Sequence, residues 1–214
     1  MSIDSTRLSR IIETFVSDDA LHCRWINTLS LMENVGAQKI VKSEHPLAVN
    51  ESMLKHAAEE TRHAYYLKRQ IKKLQPGACP SFAPEYLVNA RSSYQYLNLL
   101  DTRISRLLTE ELGLQGRHLR QHAYVLVTYA IEVRADEVYG VYEGHLKSTN
   151  SPVSVRGIIA EEEQHLAEME ESISALFVDN SDTWCQKVIA EEQALHNDWL
   201  TGIESSLFAT QAAA

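Results

Sequence analysis

Residues 53–67 read Met53-Leu54-Lys55-His56-Ala57-Ala58-Glu59-Glu60-Thr61-Arg62-His63-Ala64-Tyr65-Tyr66-Leu67. Taken in steps of three and four, Met53, His56, Ala57, Glu60, His63 and Leu67 fall on one helix face, continued by Ile71 and Leu74. That stripe is apolar except where a carboxylate and imidazoles interrupt it. The same arrangement recurs as Val155, Ile158, Glu162, His165, Met169, Ile173 and Leu176. Two helices therefore each turn a Glu-x-x-His pair toward a core. Two further stripes carry one carboxylate apiece: Leu21, Trp25, Leu29, Glu33, Gly36 and Ile40, then Val125, Thr128, Glu132, Ala135, Tyr139 and Tyr142.

A carboxylate buried alone costs several kcal/mol, and four crowded together repel one another and take up protons. Cations must balance Glu33, Glu60, Glu132 and Glu162. Two divalent ions neutralise four carboxylates, and the imidazoles of His63 and His165 complete the ligand sets. The i, i+3 spacing lets Glu and His of one helix reach a single ion, which gives one His to each metal. Oxygen-rich sites with an imidazole favour iron or manganese over structural zinc, which prefers Cys and His. Two iron ions are the expected cofactor, with manganese or a mixed manganese–iron pair as the alternative.

Outward from these stripes the chain is punctuated by only 8 Gly and 5 Pro, separated by long segments rich in Leu, Ala, Glu, Gln and Arg, so the expected fold class is all-α. A short helix is predicted over 5–16. A second follows Ser17-Asp18-Asp19 and reaches residue 41, and Asn50 caps a third that stops at Leu74 before Pro76-Gly77. The stretch 85–112 is helical in composition but weakly patterned, and its role stays open. A long helix over 117–147 follows. Ser151 is the expected cap and Pro152 the first residue of the next helix, which runs to about residue 177. A last helix, of open role, is predicted over 183–208, with the tail ATQAAA frayed. Short connections make two antiparallel hairpins, and one long crossover joins them. The expectation is a four-helix bundle with additional flanking helices, in a single domain over 1–214.

The order Glu33, then Glu60-Thr61-Arg62-His63, then Glu132, then Glu162-Glu163-Gln164-His165 resembles the ligand order of the ferritin-like di-iron carboxylate superfamily, over roughly residues 20–177. By that resemblance Glu60 and Glu162 bridge the ions, Glu33 and Glu132 are terminal ligands, and the same six residues form the catalytic centre. Ferritins lack the second inward His, so the set looks more like the oxidase and oxygenase branches or the rubrerythrins. Glu59-Glu60-Thr61-Arg62-His63 is also similar to the DExRH motif of di-iron oxygenases, with Glu59 in place of Asp. Small relatives of this type include the aldehyde-deformylating oxygenases and a tRNA-modifying hydroxylase; the acidic charge speaks against the latter.

The function this implies is a di-iron oxidoreductase that activates oxygen or peroxide and oxidises a small organic substrate, with Gly36, Thr128 and Ala135 leaving room beside the ions. A ferroxidase that handles iron, or a non-catalytic protein whose metal only stabilises the bundle, are the other classes. Without rubredoxin-type Cys pairs or a flavin signature, electrons must come from an external donor. Lys68, Arg69, Lys72 and Lys73 complement the helix dipole and offer the one candidate docking patch. A homodimer is compatible with the sequence.

The net charge of −9 disfavours a phosphate-binding surface, so no nucleic acid is expected. The longest apolar stretch, 124–131, is too short for a membrane. The start MSIDSTRLSR lacks a secretory apolar core, and Cys23, Cys79 and Cys185 form no disulfide framework, so a cytoplasmic location is expected. His56 lies one turn before Glu60 and reads more readily as packing than as a ligand. His118 with His122, and Glu192 with His196, read as solvated helix faces. Tyr139 and Tyr142 read as core rather than as a radical path.

Overall fold

In the computed structural model, which describes residues 3–212, the chain forms the helices α1 (Ile3–Val16), α2 (Asp19–Lys42), α3 (Glu51–Leu74), α4 (Ala90–Leu112), α5 (Gly116–Ser148), α6 (Arg156–Leu176) and α7 (Ser181–Ala212). A 3-10 turn at Pro84–Tyr86 precedes α4, and there is no strand among the described residues. The starts of α2 and α3 follow from their polar caps. Asp18 accepts the Leu21 N–H at 2.8 Å and Asn50 accepts the Met53 N–H at 2.9 Å. At the other end of α4, Gly113 takes the left-handed conformation (φ 65°) and closes the helix.

The helices associate as antiparallel pairs, as their cross-contacts show. Between α2 and α3, Ser30 donates to the Ala64 carbonyl at 2.7 Å, while Ile40 near the end of α2 clusters with Met53 and Ala57 near the start of α3. Between α5 and α6, the Glu143 carboxylate accepts the Val155 N–H at 3.0 Å and the His122 ring meets Phe177 at 5.2 Å. The helix α4 fills the long crossover and pairs with α7: Trp199 donates to Ser93 at 2.8 Å, and Arg103 meets Glu191 at 3.3 Å. It also rests on α2, where Lys39 bridges to Asp101 at 2.8 Å. The helix α1 packs on α5, α2 and α7 and sinks Leu8, Ile12 and Phe15 into the core, with Phe15 stacked on Trp25 at 5.1 Å.

Three boundaries differ from the sequence reading. The helix α6 begins at Arg156, not Pro152. Val153 and Val155 are drawn into the core, and the carboxylate of Glu143 takes the Val155 N–H that a local cap would have served. Val155 thus precedes the helix whose stripe it was to join. The weakly patterned stretch becomes a turn plus α4. The last helix runs on to Ala212 through most of the expected frayed tail, whose final two residues lie outside the described ones. No helix among the described residues is long and apolar enough to cross a membrane.

Candidate metal centre

Glu33 comes from α2, Glu60 and His63 from α3, Glu132 from α5, and Glu162 and His165 from α6. The structure brings all six together and adds His56. Two overlapping groups form: Glu33, Glu60, His63 and Glu162 in one, His56, Glu60, Glu132 and His165 in the other, each with ligand atoms within 4.8 Å of one another. All are buried except Glu33, which is partly so.

The carboxylates of Glu60 and Glu162 straddle the two groups. His63 Nδ1 lies 3.1 Å from Glu162 Oε1 and 3.8 Å from Glu60 Oε2. His165 Nδ1 lies 3.4 Å from the other oxygen of each, Glu162 Oε2 and Glu60 Oε1. Glu33 approaches only the His63 side, at 3.9 Å, and is held there by a hydrogen bond donated by Tyr139. Glu132 Oε1 approaches His56 Nε2 at 3.2 Å and His165 Nδ1 at 3.9 Å.

Both Nδ1 atoms are fixed from behind. His63 Nε2 meets Glu161 at 2.8 Å and His165 Nε2 meets Glu59 at 2.9 Å, so each imidazole is oriented by a carboxylate of the facing helix. An Nε2–H donated outward leaves the Nδ1 lone pair directed inward, the arrangement that metal-binding histidines use. Arg62 in turn pairs with Glu161, and Lys55 lies 3.9 Å from Glu59.

The protonation of the cluster shows how poorly these groups balance on their own. Burial, then repulsion from Glu60, raises the Glu33 carboxyl well above its ordinary range, and burial with repulsion from Glu162 does the same to Glu132. Burial also works against an ionised Glu60 and Glu162, but contacts with the imidazoles and with the protonated partners outweigh it. Glu60 is lowered well below its usual value and Glu162 to about 2. Despite desolvation, the adjoining carboxylates raise His63 to about 11 and His165 to about 10. Even so, Glu60 Oε1, His63 Nδ1, Glu132 Oε2 and Glu162 Oε1 are buried without a hydrogen-bond partner.

The spacing of the donor atoms tests whether a metal fits. Ligand atoms about 2.1 Å from one ion and at right angles to each other lie about 3 Å apart. The His63–Glu162 and His56–Glu132 separations of 3.1 and 3.2 Å match that spacing, although the first pair makes no hydrogen bond. A buried His/Glu cluster that can hold a metal ion is therefore present. Its donors are oxygen and imidazole with no thiolate.

A cavity of about 480 Å³ adjoins the cluster and is touched by Glu33, Glu60 and Glu132. Gly36, Thr128 and Ala135 stand in its wall, and a Cβ on Gly36 would meet nothing within 4 Å. Its lining is mostly apolar, including Leu29, Leu97, Val127 and Trp199, and it reaches Lys42 and Arg120 at the exposed surface.

Comparison with protein families, with curated proteins and with solved structures gives no match to this chain.

Several residues behave differently from the sequence reading. His56 is not mere packing: its Nε2 faces Glu60 and Glu132 while Nδ1 meets the Tyr124 hydroxyl at 3.2 Å, so the two groups hold one and two imidazoles rather than one each. Glu161 went unrecognised as an orienting group, and the role of Glu59 in its DExRH-like run was left open. Their signal is a Glu directly before each ligand Glu, giving Glu-Glu-x-x-His twice. Glu192 and His196 are buried, not solvated, because α7 packs on α4 and the Arg134 side chain reaches Glu192. Of the basic residues near the end of α3, Lys68 is half-buried and turned onto Asn27 and the Cys79 carbonyl, while Arg69, Lys72 and Lys73 are exposed, Lys73 donating to the Pro152 carbonyl at 3.0 Å. His118 is exposed, as expected, and lies in neither group. Tyr142 is core, with its hydroxyl 2.6 Å from His22.

Proposed function

We propose that this protein is a ferritin-like di-iron carboxylate oxidoreductase that uses oxygen or peroxide to oxidise a small, mostly apolar organic substrate. The observation that carries the reading is the pair of overlapping His/Glu groups sharing Glu60 beside an apolar cavity. Antiparallel hairpins α2–α3 and α5–α6, with ligands in the order Glu, Glu-x-x-His, Glu, Glu-x-x-His, support the ferritin-like assignment.

In this reading Glu33, Glu60, His63 and Glu162 hold one ion, and His56 or water joins Glu60, Glu132, Glu162 and His165 at the other. When bound, two iron ions supply the redox chemistry that activates oxygen or peroxide. The protein supplies the rest. Glu60 and Glu162 would take part in holding both ions, since each turns one oxygen toward His63 and the other toward His165. Glu161 and Glu59 hold His63 and His165 in register, and Tyr139 holds Glu33. The apolar wall excludes water and seats the substrate beside Glu33, Glu60 and Glu132.

The test joins metal analysis with oxygen consumption. The purified protein is expected to hold close to two ions per chain, because four carboxylates need about four compensating charges. The reduced iron form is expected to react with oxygen about once and then wait for external reductant. Continued oxidation of added ferrous iron far beyond two equivalents, with a mineral core in a large shell, would establish iron storage instead. Equal binding of zinc and iron with no oxygen uptake would reduce the metal to a structural element.

A further inference from the structure

The cavity that reaches the His/Glu cluster is also lined by a residue of α7 whose polar atoms are unmatched. His196 lines the cavity, is 1% exposed, and neither of its ring nitrogens has a hydrogen-bond partner. Buried polar groups are almost always satisfied, and an imidazole with both nitrogens unmatched stands out.

Its neighbours cannot serve it, because they are already engaged. Arg134 donates to both Glu192 oxygens at 2.9 and 2.7 Å, to Gln193 at 2.8 Å and to Glu137. The Tyr96 hydroxyl donates to Glu192, and the Trp199 indole N–H donates to Ser93 at 2.8 Å. The Trp199 ring lies 5.8 Å from the imidazole and offers it no polar atom.

The imidazole is also neutral. Burial first, then the charges of Arg134 and Arg7, lower it to about 3. It therefore presents one N–H donor and one bare nitrogen acceptor to a cavity whose lining is mostly apolar. A carboxylate there would find no free cation, because Arg134 is already matched by Glu192 and Glu137. An ammonium would lie beside Arg134. A hydroxyl suits the site best, since it both donates and accepts and so matches His196 in either tautomer.

We infer that His196 is a specificity-determining residue of this cavity, holding the hydroxyl of an apolar alcohol and so favouring alcohols over hydrocarbons of the same shape. The inference names the substrate class of the oxidoreductase proposed above and rests on that reading only in this respect, since the preference itself is a property of binding.

Calorimetric titration of the metal-loaded protein with benzyl alcohol and with ethylbenzene, which differ by hydroxyl against methyl, is the test. With affinities corrected for partition into octanol, the wild-type protein is expected to bind the alcohol at least about tenfold tighter than ethylbenzene. His196→Leu is expected to cut that ratio about tenfold without changing metal content, and His196→Gln, which keeps a donor and an acceptor, to hold it within about threefold. A wild-type ratio near one, or a ratio that His196→Leu leaves in place, overturns the inference. The wild-type titration stands even if the Leu variant fails to fold. Loss of oxygen chemistry with the alcohol preference intact would remove the oxidoreductase reading and leave this one, and the reverse result would do the opposite.

Discussion

Two buried clusters of charge meet the same cavity, and they are balanced in opposite ways. In the flanking layer Arg134 of α5 is clamped by Glu192 and Gln193 of α7, with Glu137 and the Tyr96 hydroxyl completing the set. Cation and anions are both supplied by the chain. At the bundle centre, four carboxylates face three imidazoles, and four of their polar atoms are buried without partners. Both clusters contain Glu and His one helical turn apart, Glu192 with His196 in one and Glu60 with His63 in the other. Burial of charge is thus not what marks a metal centre. The mark is buried carboxylate oxygens and imidazole nitrogens that converge and yet do not satisfy one another.

The comparison breaks most visibly when one residue is removed from each cluster. Glu132→Ala or His165→Ala is expected to lose bound metal outright, because each leaves an ion with an incomplete ligand set and the remaining carboxylates unbalanced. Elemental analysis reads the loss directly. Glu192→Ala is expected to leave metal content unchanged but to cost about 3–5 kcal/mol of stability, as Arg134 is left buried without its main counter-charge. Urea unfolding measures that cost. Metal loss from Glu192→Ala, with retention in His165→Ala, would reverse the assignment of the two clusters.

A finer version concerns Glu59 and Glu161, which touch no metal in the proposed centre but orient His165 and His63. Glu59→Ala and Glu161→Ala are each expected to weaken metal binding by about 10–100-fold while sparing the fold. Competition with a chelator of known affinity reads this. Unchanged affinity in both variants would mean that packing alone sets the imidazole orientation.

The contrast also explains what the sequence could disclose. Glu33, Glu60, His63, Glu132, Glu162 and His165 were legible as a converging group because each interrupts an apolar stripe at helical period, and the all-helical order of elements followed from the punctuation between those helices. Periodicity says which face a residue occupies but not what meets it from another helix. Periodicity therefore sets Glu59 and Glu161 only beside the stripe, although each crosses to the opposite helix. His56 was on the stripe, and only the proximity of Glu132 on α5 separates a ligand from a packed ring. The Arg134–Glu192–His196 region was not legible at all. The helix α7 contacts α4, α5 and α1, so its buried surface wraps around it and blurs any single stripe. Its charged residues then look like those of a solvated face. The start of α6 was misread for a related reason: Ser151-Pro152 is a sound local start signal, overridden by the burial of Val153 and Val155.

The clusters also separate by pH. Burial lowers His196 to about 3 and His22 to about 4 from an ordinary value of 6.5, so both are neutral in the folded protein at neutral pH. In the unfolded chain they take up protons as pH falls through 6.5. The unfolded state then binds more protons than the native state, and stability rises with pH across the window from about 4 to 6.5. The stability the two residues contribute is complete above the unfolded value, is lost on acidification, and stops falling below the folded values. Each accounts for a slope of at most about 1.4 kcal/mol per pH unit. The carboxylates of the candidate metal centre titrate as well, but they are common to wild type and variant and cancel in a difference, provided the sites do not couple. Urea midpoints of wild-type protein and His196→Leu, measured with metal present from pH 7 to pH 4, are expected to diverge, the variant losing less stability on acidification. The divergence belongs to the interval where His196 protonates only in the unfolded chain. Parallel curves would show that His196 is protonated in the fold too, and that it is not shut away from water as its burial indicates.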